Sequence, residues 1–509
     1  MSLESVLAIS SSGLRNVNNG LSIASQNIAN ANSPGYAREV ATQTNTATAG
    51  SGGGVKIGPT ARDVDVALQA RFFTQAGIVA EATTKQAALQ KLDALQGSTG
   101  QGTDLASLVS DVQDSFSTLS SSPDNVVQQR AVLSSAQSLA TKLNTLSASY
   151  TATRQDAQDA VVAGVAALNS GLSSIAKLSA QIMQAKATGQ DTADYENQRD
   201  AAMNTVAGLI GAKFLERPNG EMLVMTTNGL SLPVSVNGAP FGVQNAALGS
   251  GSFYPGGGTP AVTLNGVDVT QQLSGGSLGA NLTLRDTTIP LYQAQLDEFS
   301  YTLSTRFDAQ GLALFTDGSS NVPVAGGGGP VQSGYIGYSA SIKVNPAVAA
   351  QPGLVRDGTH AVVAGAGGAS AFTPNPPGGP AGFGDLIARV LTYALGSESQ
   401  LGTPQRAPAM VGLGPSGALN GPTAPVTDIS NFAVALVSGQ AQDTADATSK
   451  ATAETDLQNV LASSLSKASA VSIDTEMAAL VRLQNSYAAN AKVVATLQAL
   501  WAQLLQMVN

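Results

Sequence analysis

The sequence has no cysteine among its 509 residues, and His360 is its only histidine. The absence of cysteine excludes disulfides, thiolate metal sites and cysteine nucleophiles. One histidine cannot supply a multi-histidine metal centre. Asp191, Asp194 and Glu196 lie close together in the chain, but their spacing is not that of an EF-hand calcium loop, and a solvated linker explains them. We therefore expect no cofactor and no metal site, and we expect that the protein is not an enzyme.

Charge and aromatic residues are also scarce. Charged residues make up 12% of the chain and aromatic residues 5%, whereas an ordinary soluble chain carries about 25% charged residues. The net charge of −9 leaves no basic surface for nucleic acid or for an anionic membrane. No segment approaches the length of a membrane-spanning helix, and no basic stretch precedes an apolar block at the N-terminus. We expect neither membrane insertion nor a cleaved secretory signal.

Apolar residues recur at steps of three and four near both ends of the chain, the spacing of a coiled coil. The first series is Leu3, Leu7, Leu14, Val17, Leu21, Ala24, Ile28 and Ala31, with Ser10 as its polar interruption. The second is Leu480, Leu483, Tyr487, Asn490, Val494, Leu497, Trp501, Leu504 and Val508. A single polar residue such as Asn490 is a known means of fixing the register of a coiled coil. We predict that the N-terminal helix pairs with the C-terminal helix.

The terminal helices are almost uncharged. Residues 1–30 contain only Glu4 and Arg15, and residues 477–509 contain only Arg482 and Lys492. A helix that faces water normally carries charge on its outer side. These helices therefore have the composition of segments that are surrounded by other chains in an assembly.

The interior of the chain changes character near Ala212. A helical pattern runs from Val64 to about Ala187, and helix returns from about Thr427. Four Asn-Gly pairs, at residues 219, 228, 237 and 265, separate β-prone runs and predict hairpins.

The predicted fold class is α+β, in an elongated protein of several domains. We expect a terminal coiled-coil domain of residues 1–60 with 471–509, and a helical bundle domain of residues 61–205 with 425–470. Residues 206–424 would form an inserted β-rich region with a helix near residues 290–310.

Short motifs at both ends resemble those of a known family. Asn27-Ile28-Ala29-Asn30 followed by Ser33-Pro34-Gly35-Tyr36 resembles the signature of the bacterial flagellar axial proteins, which include rod, hook and hook-associated proteins. The segment Ser486–Lys492 resembles the matching C-terminal element. Within that family, residues 195–200 are similar to a Gln-Arg-Asp element of the hook-associated protein 1 group. Leu and Asp stand more often where this chain has Tyr195-Glu196-Asn197.

The resemblance implies a structural protein at the junction between flagellar hook and filament. Copies of the chain would form a ring, with hook protein below and a second junction protein and the filament above. The chain would be secreted through the flagellar export apparatus with an export chaperone, and would act outside the cell. The predicted assembly residues are Leu7, Leu14, Val17, Leu21, Ile28, Asn30, Gly35, Tyr36, Leu480, Leu483, Tyr487, Asn490, Val494, Leu497, Trp501 and Leu504.

Two alternatives remain open at the level of sequence. The chain could be another axial protein, either hook protein or distal rod protein, although the long helical block after Val64 disfavours both. It could also be a secreted cell-wall hydrolase carried on an axial scaffold. That reading needs an acidic or metal cluster within residues 206–420, and the sequence offers no convincing one.

Overall fold

The structure is a computed structural model. It describes residues 3–33, 36–48, 51–97, 102–327, 329–365, 368–422, 428–469 and 471–508. Long helices dominate both ends of the chain and its first half. The helices are α1 Leu3–Asn30, α2 Val66–Gln96, α3 Leu105–Ser120, α4 Val126–Thr188, α5 Ala193–Leu209, α6 Gly276–Thr283, α7 Ile289–Ala309, α8 Pro346–Ala350, α9 Leu354–Asp357, α10 Asp385–Arg389, α11 Ile429–Ser469 and α12 Ile473–Val508.

The strands are short and form small separate antiparallel sheets. They are β1 Glu39–Val40, β2 Gln43–Thr48, β3 Ser51–Ile57, β4 Ala61–Arg62, β5 Ala212–Glu216, β6 Met222–Thr226, β7 Ser231–Leu232, β8 Phe241–Gly242, β9 Thr263–Leu264, β10 Val267–Asp268, β11 Phe315–Thr316, β12 Lys343–Val344, β13 Glu398–Gln400, β14 Thr403–Pro404, β15 Val411–Leu413 and β16 Leu419–Asn420. The fold is α+β, as predicted.

The Asn-Gly pairs produce three hairpin turns and one connection between sheets. The pairs at residues 219, 228 and 265 join β5 to β6, β6 to β7 and β9 to β10. At the last of these, Asn265 and Gly266 both have positive φ, 49° and 85°, which is the backbone of a two-residue type I′ turn. The pair at residue 237 was predicted to form a hairpin, and that prediction is wrong. Strands β7 and β8 on either side of it belong to different sheets.

Local capping explains where the long helices begin and end. The side chains of Asp65, Asp104 and Asn125 accept hydrogen bonds from free backbone N–H groups at the first turns of α2, α3 and α4. Helix α4 ends at Gly189, whose φ of 67° closes the last turn in a left-handed conformation.

Helix α4 has 63 residues, so it is about 95 Å long at 1.5 Å per residue. Among the described residues, buried apolar side chains form two clusters, and α4 contributes to both. Its first half packs with α3, α7 and the start of α11 around Phe116, Phe299 and Phe307. Its second half packs with α5, α6 and β5–β9 around Val165, Leu168 and Leu172. Each cluster therefore combines the helical block with part of residues 206–424.

Helix α4 also corrects one expectation from the sequence. By length and composition alone, it contains a window apolar enough to cross a membrane, whereas we expected no such segment. Its apolar side chains supply the two buried clusters just described, which is the arrangement of a core helix.

Candidate functional site

Helices α1 and α12 pair in antiparallel fashion, and two glycines of α1 face side chains of α12. A methyl group built on Gly13 would lie 3.2 Å from Asn490 Oδ1, and one built on Gly20 would lie 3.1 Å from Leu483 Cδ2. The two contacts are seven residues apart on each helix, and residue numbers rise along α1 while they fall along α12. The contact thus has the heptad period of a coiled coil, with glycines accepting the larger side chains of α12.

The predicted residues of α1 lie at different depths along this contact. Val17 is buried, whereas Leu14, Leu21 and Ile28 are half-buried and Leu7 is exposed. The other buried residues of α1 are Ser10, Ile23, Ala24 and Asn27. Gly13 and Gly20 each precede a predicted leucine by one residue, so they lie about 100° around the helix from the leucine series.

The predicted residues of α12 divide into two groups. Leu497 is buried, and Leu480, Leu483, Asn490 and Val494 are half-buried. Tyr487, Trp501 and Leu504 are exposed, with relative exposures of 43%, 41% and 48%. In the register set by the two glycines, Leu497 lies opposite Val6, and Trp501 and Leu504 lie past Leu3, the first described residue of α1.

Ten large apolar side chains of α12 are exposed in the part of the chain that the structure describes. They are Ile473, Met477, Val481, Tyr487, Val493, Leu500, Trp501, Leu504, Leu505 and Met507. We call this set the α12 apolar surface. Monomeric soluble proteins rarely leave so many apolar side chains uncovered on one element, and such surfaces usually mark a contact with another molecule.

The β2–β3 hairpin covers a second, polar side of α1. The Val55 N–H donates to Ser12 Oγ over 3.2 Å, and Asn16 Nδ2 donates to Gln43 Oε1 over 2.8 Å. This contact gives Ser12 and Asn16, two uncharged polar residues of α1, hydrogen-bond partners.

Asn27 holds the chain segment that follows α1. Its side chain is fully buried; Nδ2 donates to the Glu39 carbonyl, and Oδ1 accepts from the Glu39 N–H, both over 2.9 Å. Tyr36 Oη donates to the same Oδ1 over 3.1 Å. One amide thus fixes the return of the chain antiparallel to the end of the helix. Sequence reasoning quoted Asn27 within the motif but did not select it.

The other predicted motif residues have local roles or lie outside the described part. Asn30 Nδ2 donates to the Gln26 carbonyl over 3.1 Å, and Asn30 Oδ1 accepts from the Ser33 hydroxyl over 3.3 Å. These bonds close the end of α1. Gly35 lies outside the described residues.

Arg38 connects the N-terminal segment to the C-terminal helices. Its Nε donates to Glu476 Oε1 over 2.7 Å, and the Glu476 residue is 2% exposed. The Arg38 N–H donates to the Ser469 carbonyl, at the end of α11. A backbone hydrogen bond and an ion pair therefore join the two ends of the chain at this point.

The Gln-Arg-Asp element on α5 connects three parts of the fold. Asp200 is paired with Arg62 of β4 and accepts from Gln69 of α2. Arg199 is 2% exposed; it donates to the Gly220 carbonyl over 2.9 Å and pairs with Glu216, both in the β5–β6 hairpin. The element therefore has a structural role here.

The acidic residues near the start of α5 also have partners. Asp191 accepts from the Thr60 N–H, and Glu196 pairs with Arg62 over 3.7 Å. Within the described ranges, no group of three His, Asp or Glu side chains could hold a metal ion.

Comparison with family models gives two matches. Residues 89–320 match the helical domain of the flagellar hook-associated protein FlgK. Residues 463–507 match the C-terminal region of the flagellar basal body rod proteins FlgEFG, and they cover most of α12. The first match is specific to one axial protein, whereas the second is the terminal element of rod-type axial proteins.

The flagellar hook junction protein FlgK from Burkholderia pseudomallei is among the solved structures that are similar to this chain. The identity is 23% and the TM-score 0.40, over 50% of this chain and 45% of that one. The matched part thus spans less than half the length of that protein. No curated protein matches the sequence.

Proposed function

We propose that this chain, a flagellar hook-associated protein of the FlgK type, is a structural subunit that joins hook to filament. The match of residues 89–320 to the FlgK helical domain carries this proposal. The antiparallel pair of terminal helices and the α12 apolar surface support it, because they give each subunit an axial element with an uncovered face.

In this proposal, residues 1–60 with 471–509 form the axial domain, which packs against copies of itself in a ring. Residues 61–205 with 425–470 form a helical domain, and residues 206–424 form an insert that packs against it in both buried clusters. The hook would lie below the ring, and a second junction protein and the filament above it. The chain would reach this place through the flagellar export apparatus, bound beforehand to an export chaperone.

The other axial proteins are the nearest alternative. The C-terminal match is shared with rod-type proteins and does not distinguish them from FlgK. The helical-domain match favours the FlgK type, because that family model describes a domain of FlgK. It covers α3, α4 and the packed regions that follow them.

The hydrolase alternative would need acidic residues that are free to act on a substrate. The buried acids of the insert are instead held by structural hydrogen bonds. Asp297 accepts from the Gly337 and Ser339 N–H groups over 2.7 and 3.0 Å. Glu298 accepts from the Ala409 N–H over 2.8 Å and from Tyr335 Oη. We propose that the protein has no catalytic activity.

The proposal is tested in a deletion strain that is complemented with the wild-type chain or with variants. We expect the deletion strain to keep its hook and lose its filament in electron micrographs, and the wild-type gene to restore the filament. The double variant Trp501→Ala with Leu504→Ala should be secreted but not incorporated, because these exposed side chains belong to the α12 apolar surface.

The matched control is Leu401→Ala, which truncates a leucine that is 87% exposed but lies in the insert. This variant should restore swimming. Loss of the hook itself in the deletion strain would favour a rod or hook protein. Normal incorporation of the double variant would show that the α12 apolar surface is not an assembly contact.

A further inference from the structure

Glu39 is a buried carboxyl that the assembly role does not use. It lies in β1, opposite Arg62 of β4, and it is 4% exposed. Asn27 fixes both of its backbone groups. Its Oε1 is buried and has no hydrogen-bond partner among the described residues. Ionising a carboxyl in this condition is costly, because burial removes water and supplies no donor to that oxygen.

The surroundings of Glu39 contain more negative than positive groups. Across from it, Asp191 and Asp194 belong to the start of α5 and the turn before it, and both disfavour its ionised form. Burial, followed by these two carboxylates, raises the pKa of Glu39 to about 7. The Tyr36 hydroxyl and Arg62 act in the opposite direction.

Other charged groups surround this position, and each is engaged elsewhere. Arg62 is paired with Asp200 and Glu196, so little of its charge remains for Glu39. The further charged groups near this segment are Arg38, Asp63 and Glu476. Arg38 forms ion pairs with both of the acids.

The charge of Glu39 would affect the contact between two parts of the molecule. On one side are α1 and β1–β4, which we call the N-terminal arm, and on the other is α5 with the turn before it. The contact consists of few bonds. The Ala37 N–H donates to Asn197 Oδ1 over 3.3 Å, the Gln26 amide reaches Asp194 over 3.4 Å, and Thr60 and Arg62 bind Asp191 and Asp200.

We propose that Glu39 is a proton-dependent latch, which holds the N-terminal arm against α5 when it is protonated and loosens the arm when it is ionised. The protonated carboxyl can donate a hydrogen bond and carries no charge toward Asp191 and Asp194. The ionised carboxylate meets two like charges at a position shielded from solvent. An arm that loosens above neutral pH could adjust to neighbours during assembly, yet the latch itself is a property of the monomer.

The direction of the pH dependence follows from the difference between the two states. Glu39 takes its ordinary pKa of 4.5 in the released arm and about 7 in the docked arm. The docked state therefore holds an extra proton between these values, and docking weakens as the pH rises through this window. Above about pH 7 no further change is expected from Glu39. Between pH 5 and pH 8 we expect the docking equilibrium to fall by about tenfold or more.

The absence of cysteine allows a direct test with two spin labels on the full-length monomer. One label is placed at Ser25→Cys on α1 and the other at Thr188→Cys on α4, both at exposed positions. Pulsed electron paramagnetic resonance should give a narrow distance distribution at pH 5 and a broad one at pH 8. A reference pair at Thr188→Cys and Thr205→Cys, outside the arm, should give the same distribution at both values.

Glu39→Gln removes the titration and keeps the shape of the side chain, so its distribution should be narrow at both pH values. Asp194→Asn should narrow the distribution at pH 8, and it decides the question if Glu39→Gln does not fold. The control Glu221→Gln changes a partly exposed acid of the insert, far along the chain from the arm, which pairs with Arg217; this variant should keep the full pH response. A wild-type distribution unchanged from pH 5 to pH 8, or a full response in Glu39→Gln, would overturn the latch. Neither result would depend on whether the chain assembles at the hook.

Discussion

At Asn27, one buried side chain fixes the path of the chain after α1. Its amide oxygen accepts from the Glu39 N–H and from the Tyr36 hydroxyl, and its amide nitrogen donates to the Glu39 carbonyl. Asparagine suits this position because it offers a donor and an acceptor at the end of a short chain. The same residue sets the position of Glu39, and so of the proposed latch.

We predict that Asn27→Ala loosens residues 36–40 without unfolding the rest of the molecule. The substitution leaves the backbone groups of Glu39 and the Tyr36 hydroxyl without these partners, at a cost of about 1–3 kcal/mol for a buried group. Amide hydrogen exchange should rise in residues 36–40. Asn18→Ala, at an exposed position of the same helix, is the control and should leave exchange there unchanged. Equal exchange in the two variants would contradict the role given to Asn27.

At the scale of elements, the terminal pair depends on small residues facing larger ones. Gly13 and Gly20 are costly inside a helix, by about 1 kcal/mol each relative to alanine. Their contacts with Asn490 and Leu483 give a reason for that cost, since a Cβ atom at either position would press against a side chain of α12. The antiparallel register follows from the order of these two contacts.

We predict that Gly20→Val separates α1 from α12. The Cβ atom alone would lie 3.1 Å from Leu483, and valine adds two further methyl groups in the same direction. Overpacking of this kind typically costs about 1–3 kcal/mol. The sole tryptophan, Trp501, and a label on α1 would report the separation as a loss of energy transfer.

The matched control for this prediction is Gly439→Val on α11, where no atom lies within 4 Å of the added Cβ among the described residues. Both variants introduce the same β-branched residue into a helix, so only the contact differs. Unchanged energy transfer in Gly20→Val would show that the glycines do not set this contact.

At the scale of the whole molecule, the terminal helix pair buries fewer apolar side chains than the two core clusters do. Phe116, Phe299 and Leu168 are fully buried, in clusters that α4 connects. By contrast, α12 has no buried apolar residue among its described side chains except Leu497. Elements with little buried apolar area open first.

We predict that limited proteolysis of the monomer removes the chain ends and leaves a resistant body. Cleavage should proceed toward about Val64 and about Asp474, because the α1–α12 pair buries little apolar surface. The two core clusters should resist, since long helices cross both of them. Mass spectrometry of the fragments gives the boundaries. Uniform resistance from Met1 to Asn509 would contradict this prediction.

Local patterns in the sequence determined much of the fold. The periodic apolar residues located the terminal helices, and Asn-Gly located the hairpins at residues 219, 228 and 265. These features depend on neighbours a few residues away, so short-range physical chemistry is sufficient to find them. The motifs around Asn27 and Tyr487 also led to the axial family, because short motifs can be recognised without knowing their contacts.

The tertiary structure decided which side of each element meets a partner. The leucine series of α1 predicted a contact with α12, and the structure adds Gly13 and Gly20, which face Asn490 and Leu483 of that helix. An apolar stripe covers a wide arc of a helix, and glycine contributes nothing to it, although glycine permits the closest approach. The connection of Arg199 to Gly220, the hydrogen bonds of Asn27 and the turn at residue 237 likewise depend on distant segments. Their partners are brought close only by folding, so no local pattern could specify them.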